Sequence, residues 1–207
     1  LTPIPYYTRK RVFVKHNRLN SNMKKINVFP NRVYTENLQL TKEQNDSILD
    51  EVDYLVDREQ VDDTHFGWIT PNGRSMGEQT GKLTKLVVNR FASEITPQFN
   101  TGNKKIEMAD LKLSMIRPGQ AVPHFVTKYS WYTAIVFLQT TNRGSHLYFD
   151  DMGPRHFATP KGFDEWSHYI KPAKNKVIYF PSHLITGFTS NESMINNVTL
   201  SLNFLVK

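Results

Sequence analysis

The sequence predicts a mainly β protein with flanking helices (α+β): a jelly-roll type double sheet, two N-terminal helices and a basic N-terminal arm. Three observations predict it. From Lys104 onward, about seven or eight runs of strand length are separated by turn signals, a density that points to a sandwich or barrel and not to α/β alternation. The last run, "VTLSLNFLV", alternates strictly, with Val198, Leu200, Leu202, Phe204 and Val206 on one face and Thr199, Ser201 and Asn203 on the other. Before Lys104, two stretches carry apolar residues at helical spacing.

Taken in order, residues 1–25 form the arm and 26–207 the β domain. "KINVFPNRVYTENLQL" reads as short strands around Pro30. A helix over about 41–58 follows, with Thr41 as N-cap, Gln44 at the capping-box position, and Ile48, Val52, Leu55 and Val56 as its stripe. "DDTHFGWITPNGRSMGEQTG" is rich in turn formers and reads as a loop, in which Trp68 is a core or lid aromatic. The second helix spans about 82–96 with the stripe Leu83, Leu86, Val87, Phe91 and Ile95. The β core then occupies about 104–206, its strands lying in "KIEMADLKLSMIRPG", "AVPHFV", "WYTAIVFLQT", "SHLYFDD", "EWSHYIKP", "KVIYFPS" and "NNVTLSLNFLV". Turns fall at "RPGQ", "TNRGS", "DMGP", "TPKG" and "TSNES".

Composition narrows the function. A chain of 207 residues can bury a core without staples. No apolar run approaches the ~20 residues of a membrane span, and the first residues lack the apolar centre of a signal peptide. No cysteine is present, which excludes disulfides, thiolate metal sites and a cysteine nucleophile. The net charge of +7 is localised: Arg9, Lys10, Arg11, Lys15, Arg18, Lys24 and Lys25 stand in residues 1–25 without an acid, so the remainder sums to zero. The arm also carries Tyr6, Tyr7, Val12, Phe13 and Val14, unlike a purely polar disordered tail. Such an arm suits a partner surface, either another protein chain or the phosphates of nucleic acid, or packs back on its own domain.

From Ile26 to Val206 the order of pieces resembles the iron(II)/2-oxoglutarate-dependent oxygenase superfamily, and within it a group common in phages. "INVFPNRVYTENLQL" resembles that group's entry, "IRPGQAVPHFV" the first metal-binding strand, "TAIVFLQTTNRGSHLYFDD" the strand pair leading to an Asp, and "KVIYFPSHLITGFTSNES" with "NNVTLSLNF" the closing barrel strands. The resemblance implies a double-stranded β-helix fold. It also implies a facial triad, whose first two ligands sit as His-x-Asp/Glu or His-x-His on one strand, where alternate residues share a face. Here that position reads His124-Phe125-Val126, and Val126 cannot ligate. The distal histidine position holds Thr186, with His183 three residues earlier, ~10 Å away in extended chain and on the other face. The arginine that would clamp the oxo-acid is replaced by Asn197, and no Arg or Lys lies between Lys176 and Lys207.

On these residues no catalytic, cofactor-binding or metal site is expected. His124 reads as a satisfied barrel histidine and His183 as surface or core packing. An improvised triad of His124, His183 and Asp150 or Asp151 is the alternative, with zinc, iron or manganese as its ion; the plainer reading of Asp150-Asp151 beside Gly153-Pro154 is a turn whose carboxylates bond backbone amides. His146, His156 and His168 are read as structural, and Ser130 and Ser182 lack a nucleophile context. Tyr129, Trp131 and Tyr132 read as packing, with a base- or sugar-stacking surface as the alternative.

Three functions follow. The first is a non-catalytic structural or interaction protein, a virion or assembly component, using no cofactor and bound to other subunits through its arm. The second is an active dioxygenase using Fe(II) and 2-oxoglutarate. The third is a nucleic-acid-binding module gripping phosphates through residues 1–25. No membrane partner is expected, and the location is a virion or the host cytoplasm.

Overall fold

The computed structural model describes residues 23–28, 31–58, 68–69, 77–99, 105–127, 129–150 and 167–207, with the backbone alone at Asn27, 55–58 and 68–69. Arm residues Arg9, Lys10, Arg11, Lys15 and Arg18, like Asp151 and His156, lie outside them. Lys24 and Lys25 belong to the first strand, not to the arm: β1 (Lys24–Val28) pairs antiparallel with β2 (Asn31–Asn37), setting Lys25 opposite Tyr34.

Helix α1 (Lys42–Arg58) begins as its capping box predicts. The Thr41 amide donates to Gln44 Oε1 at 2.9 Å, and the Gln44 amide donates to Thr41 Oγ1 at 3.2 Å. Ile48 and Val52 of its stripe are buried; the side chains of Leu55 and Val56 are not described. A short strand, β3 (Trp68–Ile69), pairs with Ser114 and Leu113.

Helix α2 (Glu78–Arg90) starts four residues before the stripe suggests. Its first turn is capped from α1: the amides of Gln79 and Thr80 and the Thr80 hydroxyl all donate to the Glu51 carboxylate, at 2.8–2.9 Å. A Cβ on Gly77 would overlap that carboxylate, so the close approach needs glycine there. The helix continues through a π turn (Phe91–Ile95) and a 3₁₀ turn (Thr96–Gln98). Leu83, Val87, Phe91 and Ile95 are buried as expected; Leu86 is exposed, and Thr80 and Thr84 fill the face in its place.

The β core comprises β4 (Ile106–Ile116), β5 (Val122–Phe125), β6 (Tyr132–Gln139), β7 (Leu147–Asp150), β8 (Ser167–Ile170), β9 (Lys176–Pro181), β10 (Ile185–Phe188) and β11 (Asn197–Val206). They form a seven-stranded sheet, β1-β2-β9-β6-β11-β4-β3, and a four-stranded sheet, β5-β10-β7-β8, with antiparallel pairing in both. Strand β10 is short and interrupted by Gly187, so it carries no periodic signal of its own.

Two cores result. Outside the large sheet, Leu113, Val136, Tyr179, Leu200, Leu202 and Phe204 pack under α1 and α2. Between the sheets, Phe137, Ile178 and Phe180 meet Leu147, Phe149 and Phe188. The apolar face of β11 thus turns toward the helices, and its polar face turns into the barrel. Phe91 joins the layers outside: it stacks on Phe204 at 4.2 Å between ring centroids and touches Trp131, Tyr132 and Tyr179. Among the described residues no helix is long and apolar enough to cross a membrane.

Candidate functional site

The two faces of the small sheet decide what its polar residues can do. Thr186 of β10 lies opposite Phe149 on one side and Phe125 on the other, and all three turn toward the inner core. Tyr148, Asp150, Ile185 and Gly187 therefore point outward. Strand β5 carries an extra residue against β10, since Val122 and Phe125 match Phe188 and Thr186. His124, beside inward-packed Phe125, faces out.

There His124 Nε2 pairs with Asp150 Oδ2, while the Ser167 hydroxyl donates to Asp150 Oδ1. The imidazole also meets the Tyr148 ring edge-on at 5.4 Å, and Gly187, having no side chain, leaves room for that ring. Burial, and then the Asp150 charge, raise the Tyr148 phenol pKa and keep it protonated. His124, read from the sequence as a satisfied barrel histidine, has Asp150 as its partner and is half-exposed on the outer face. Asp150 likewise serves a side-chain cluster, where a backbone turn was expected.

His183 goes elsewhere. In the turn after β9, its Nε2 meets Asn31 Oδ1 at 3.2 Å, in a cleft of about 240 Å³ with Arg32 and Trp131. The structure does not bring His124 and His183 together, and among the described residues no three His, Asp or Glu side chains converge. His146 is half-buried, with burial lowering its pKa, and His168 stands opposite Phe149 on edge strand β8. Trp131 and Tyr132 pack under the helices as expected, with the 3₁₀-flanking Phe99 against both. Tyr129 does not: it is 92% exposed with φ of 57°, in the left-handed region that large residues rarely enter.

The feature that sequence reasoning missed is the inner face of the large sheet. Register sets Asp110, Lys112 and Ser114 of β4 opposite Asn203, Ser201 and Thr199 of β11, with Thr133 of β6 next to Asn203. These rows open on a cavity of about 720 Å³ at one end of the barrel. The Thr133 hydroxyl donates to Asn203 Oδ1 at 3.1 Å and meets Ser182 Oγ at 2.8 Å, and Ser182 donates to Ser130 at 3.0 Å. Deeper in, the hydroxyls of Ser114 and Thr199 and the carboxamide of Asn197 have no hydrogen-bond partner among the described residues. The alternation of "TLSLN" was the available signal, but it does not say which face is inside.

No protein-family model matches this chain, and no curated protein matches it significantly. Solved structures do match in fold. The non-heme alpha ketoglutarate dependent carbocyclase SnoK from nogalamycin biosynthesis superposes with a TM-score of 0.60 at 9% identity, covering 83% of this chain and 78% of its own. HygX from Streptomyces hygroscopicus, with nickel and 2-oxoglutarate bound, gives 0.60 at 9% identity over 83% and 81%. The viral collagen prolyl hydroxylase of Paramecium Bursaria Chlorella virus-1 gives 0.51 at 16% identity over 89% and 96%.

The fold family implies an iron ion and an oxo-dicarboxylic acid. The inner-face donors described here are chiefly hydroxyls and carboxamides, which are poor ligands for Fe(II). The Asp110 carboxylate is held at 3.3 Å by Lys112, the cation beside it on that face. Thr186, buried on the inner face of β10, supplies a hydroxyl alone, and it donates to the Phe125 carbonyl at 3.4 Å. The chain has the fold of the iron(II)/2-oxoglutarate oxygenases, and the side chains described inside its barrel do not fit that metal and co-substrate.

Proposed function

We propose that this chain is a non-catalytic interaction protein built on an oxygenase-type barrel, a subunit of an assembly tethered by the basic residues Arg9, Lys10, Arg11, Lys15 and Arg18 of its arm. One observation supports it above the others. His124, placed at the family's first ligand position, turns outward to Asp150, while the inner face offers Thr186, Ser201 and Asn203. A barrel so furnished is a rigid scaffold whose fold is maintained by two apolar cores. A phage virion is the setting suggested by the phage-group resemblance, with other protein subunits as partners.

Metal analysis combined with a 2-oxoglutarate turnover assay tests this reading. The expected result is neither stoichiometric iron nor succinate release above background. Stoichiometric iron, with succinate release abolished in His124→Ala, overturns it. Deleting residues 1–22 should abolish binding to neighbouring subunits while the barrel still unfolds as it did before. Binding to DNA or RNA that weakens steeply with salt and is lost in the truncated chain would instead make the arm a phosphate clamp.

The pairing of His124 with Asp150 favours a second reading, an active iron(II)/2-oxoglutarate dioxygenase. An imidazole and a carboxylate are two of the three ligands that a facial triad needs. The turnover assay decides between the two.

A further inference from the structure

The cavity at the end of the barrel has the chemistry of a binding site. Its floor is built from side chains that are almost fully buried yet only partly used. Ser201 is 7% exposed and its hydroxyl bonds no described group. Asn203 is 5% exposed; its Oδ1 accepts from Thr133, but its Nδ2 donates to no described group. One row deeper, behind the lining residues, the facing Ser114 and Thr199 hydroxyls are also without partners among the described residues. Ser201 and Asn203 present their polar groups to the cavity they line, where a polar occupant can pair with them.

Charge and shape narrow the occupant. Asp110 and Lys112 neutralise each other at the mouth, so the cavity has neither a net charge nor a free guanidinium to seize a dicarboxylate. Hydroxyls and a carboxamide both donate and accept, which suits a molecule whose own groups are hydroxyls. The other walls mix apolar Phe125, Val126 and Leu205 with Thr127 and Ser130, and the exposed Tyr129 stands among them. Tyr129 holds a backbone conformation unfavourable for a large residue, and such outliers concentrate at functional sites. An aromatic side chain and a polar floor lining one cavity fit a ring with C–H groups on its face and O–H groups around it.

We propose that this cavity binds a neutral polyhydroxylated small molecule of monosaccharide type. The site uses residues outside the basic arm and stands independently of the assembly role.

The test is an amide chemical-shift titration of the full chain with glucose, galactose, N-acetylglucosamine and inositol, and separately with 2-oxoglutarate. At least one neutral polyol should bind saturably and move the amides of Thr133, Ser201 and Asn203, whereas 2-oxoglutarate leaves them in place. Ser201→Ala should weaken that binding about tenfold, the effect of losing one buried hydrogen bond. Tyr129→Gly should weaken it by up to about tenfold. Because Tyr129 is exposed and glycine adopts its backbone freely, that variant folds and keeps the proposal falsifiable even where Ser201→Ala does not fold. Failure of all four polyols to move these amides, binding unchanged in Tyr129→Gly, or a larger response to 2-oxoglutarate overturns the proposal.

Discussion

Phe91 shows how much one side chain can unify. It is fully buried, lies where α2 becomes a π turn, and touches four aromatic residues drawn from three stretches of the β core. Phe91→Ala should cost about 3–5 kcal/mol in urea unfolding; a loss under about 1 kcal/mol would show that the helices are not clamped there. Glu36 illustrates electrostatics at the same scale. It is buried on β2, and burial raises its carboxyl pKa above the ordinary 4.5, although the Tyr179 hydroxyl donates to it at 3.0 Å and pulls the value back. The folded state therefore holds this proton more tightly than the unfolded chain. The group's contribution is complete below pH 4.5 and declines as pH rises through the folded value. Glu36→Gln retains an acceptor for Tyr179 and removes the titration. Its melting temperature should gain on the wild type as pH climbs from about 4.5 to neutrality; a constant difference across that range would contradict the assignment.

At the scale of elements, the two helices differ in how legible they are. The α1 start can be read directly, because Thr41 and Gln44 satisfy each other's backbone within four residues. The α2 start cannot, because its cap is a carboxylate from α1, 28 residues distant from the first amide it receives. Glu51→Ala should destabilise the protein by about 1–2 kcal/mol and accelerate amide exchange at Gln79 and Thr80. Gly77→Ala should produce the same exchange signature by displacing the carboxylate; unchanged exchange in both variants would remove Glu51 from this role. Strands β3 and β10 went unread for a related reason. Two and four residues are too short for alternation to register, and each exists through its neighbours: β3 through Ser114 and Leu113, β10 through β5 and β7.

For the whole molecule, the distinctive feature is the orientation of β11. Its apolar face lies under the helices and its polar face lies between the sheets, so the barrel interior is apolar on one side and hydroxyl-lined on the other. The Ser114 and Thr199 hydroxyls have no partner among the described residues. Replacing both, Ser114→Ala with Thr199→Val, should be neutral or stabilising by up to about 2 kcal/mol in urea unfolding. Destabilisation of that size would mean that the hydroxyls are satisfied. By itself the sequence determined the fold class, both helices, most strands and the alternation of β11, because these follow from local propensity and from periods of 3.6 and 2. Only the tertiary structure decided which face of each strand turns inward, and so sent His124 outside to Asp150 and His183 to Asn31. Alternation fixes that two faces differ, but which one meets a helix layer and which one a second sheet depends on partners far away along the chain.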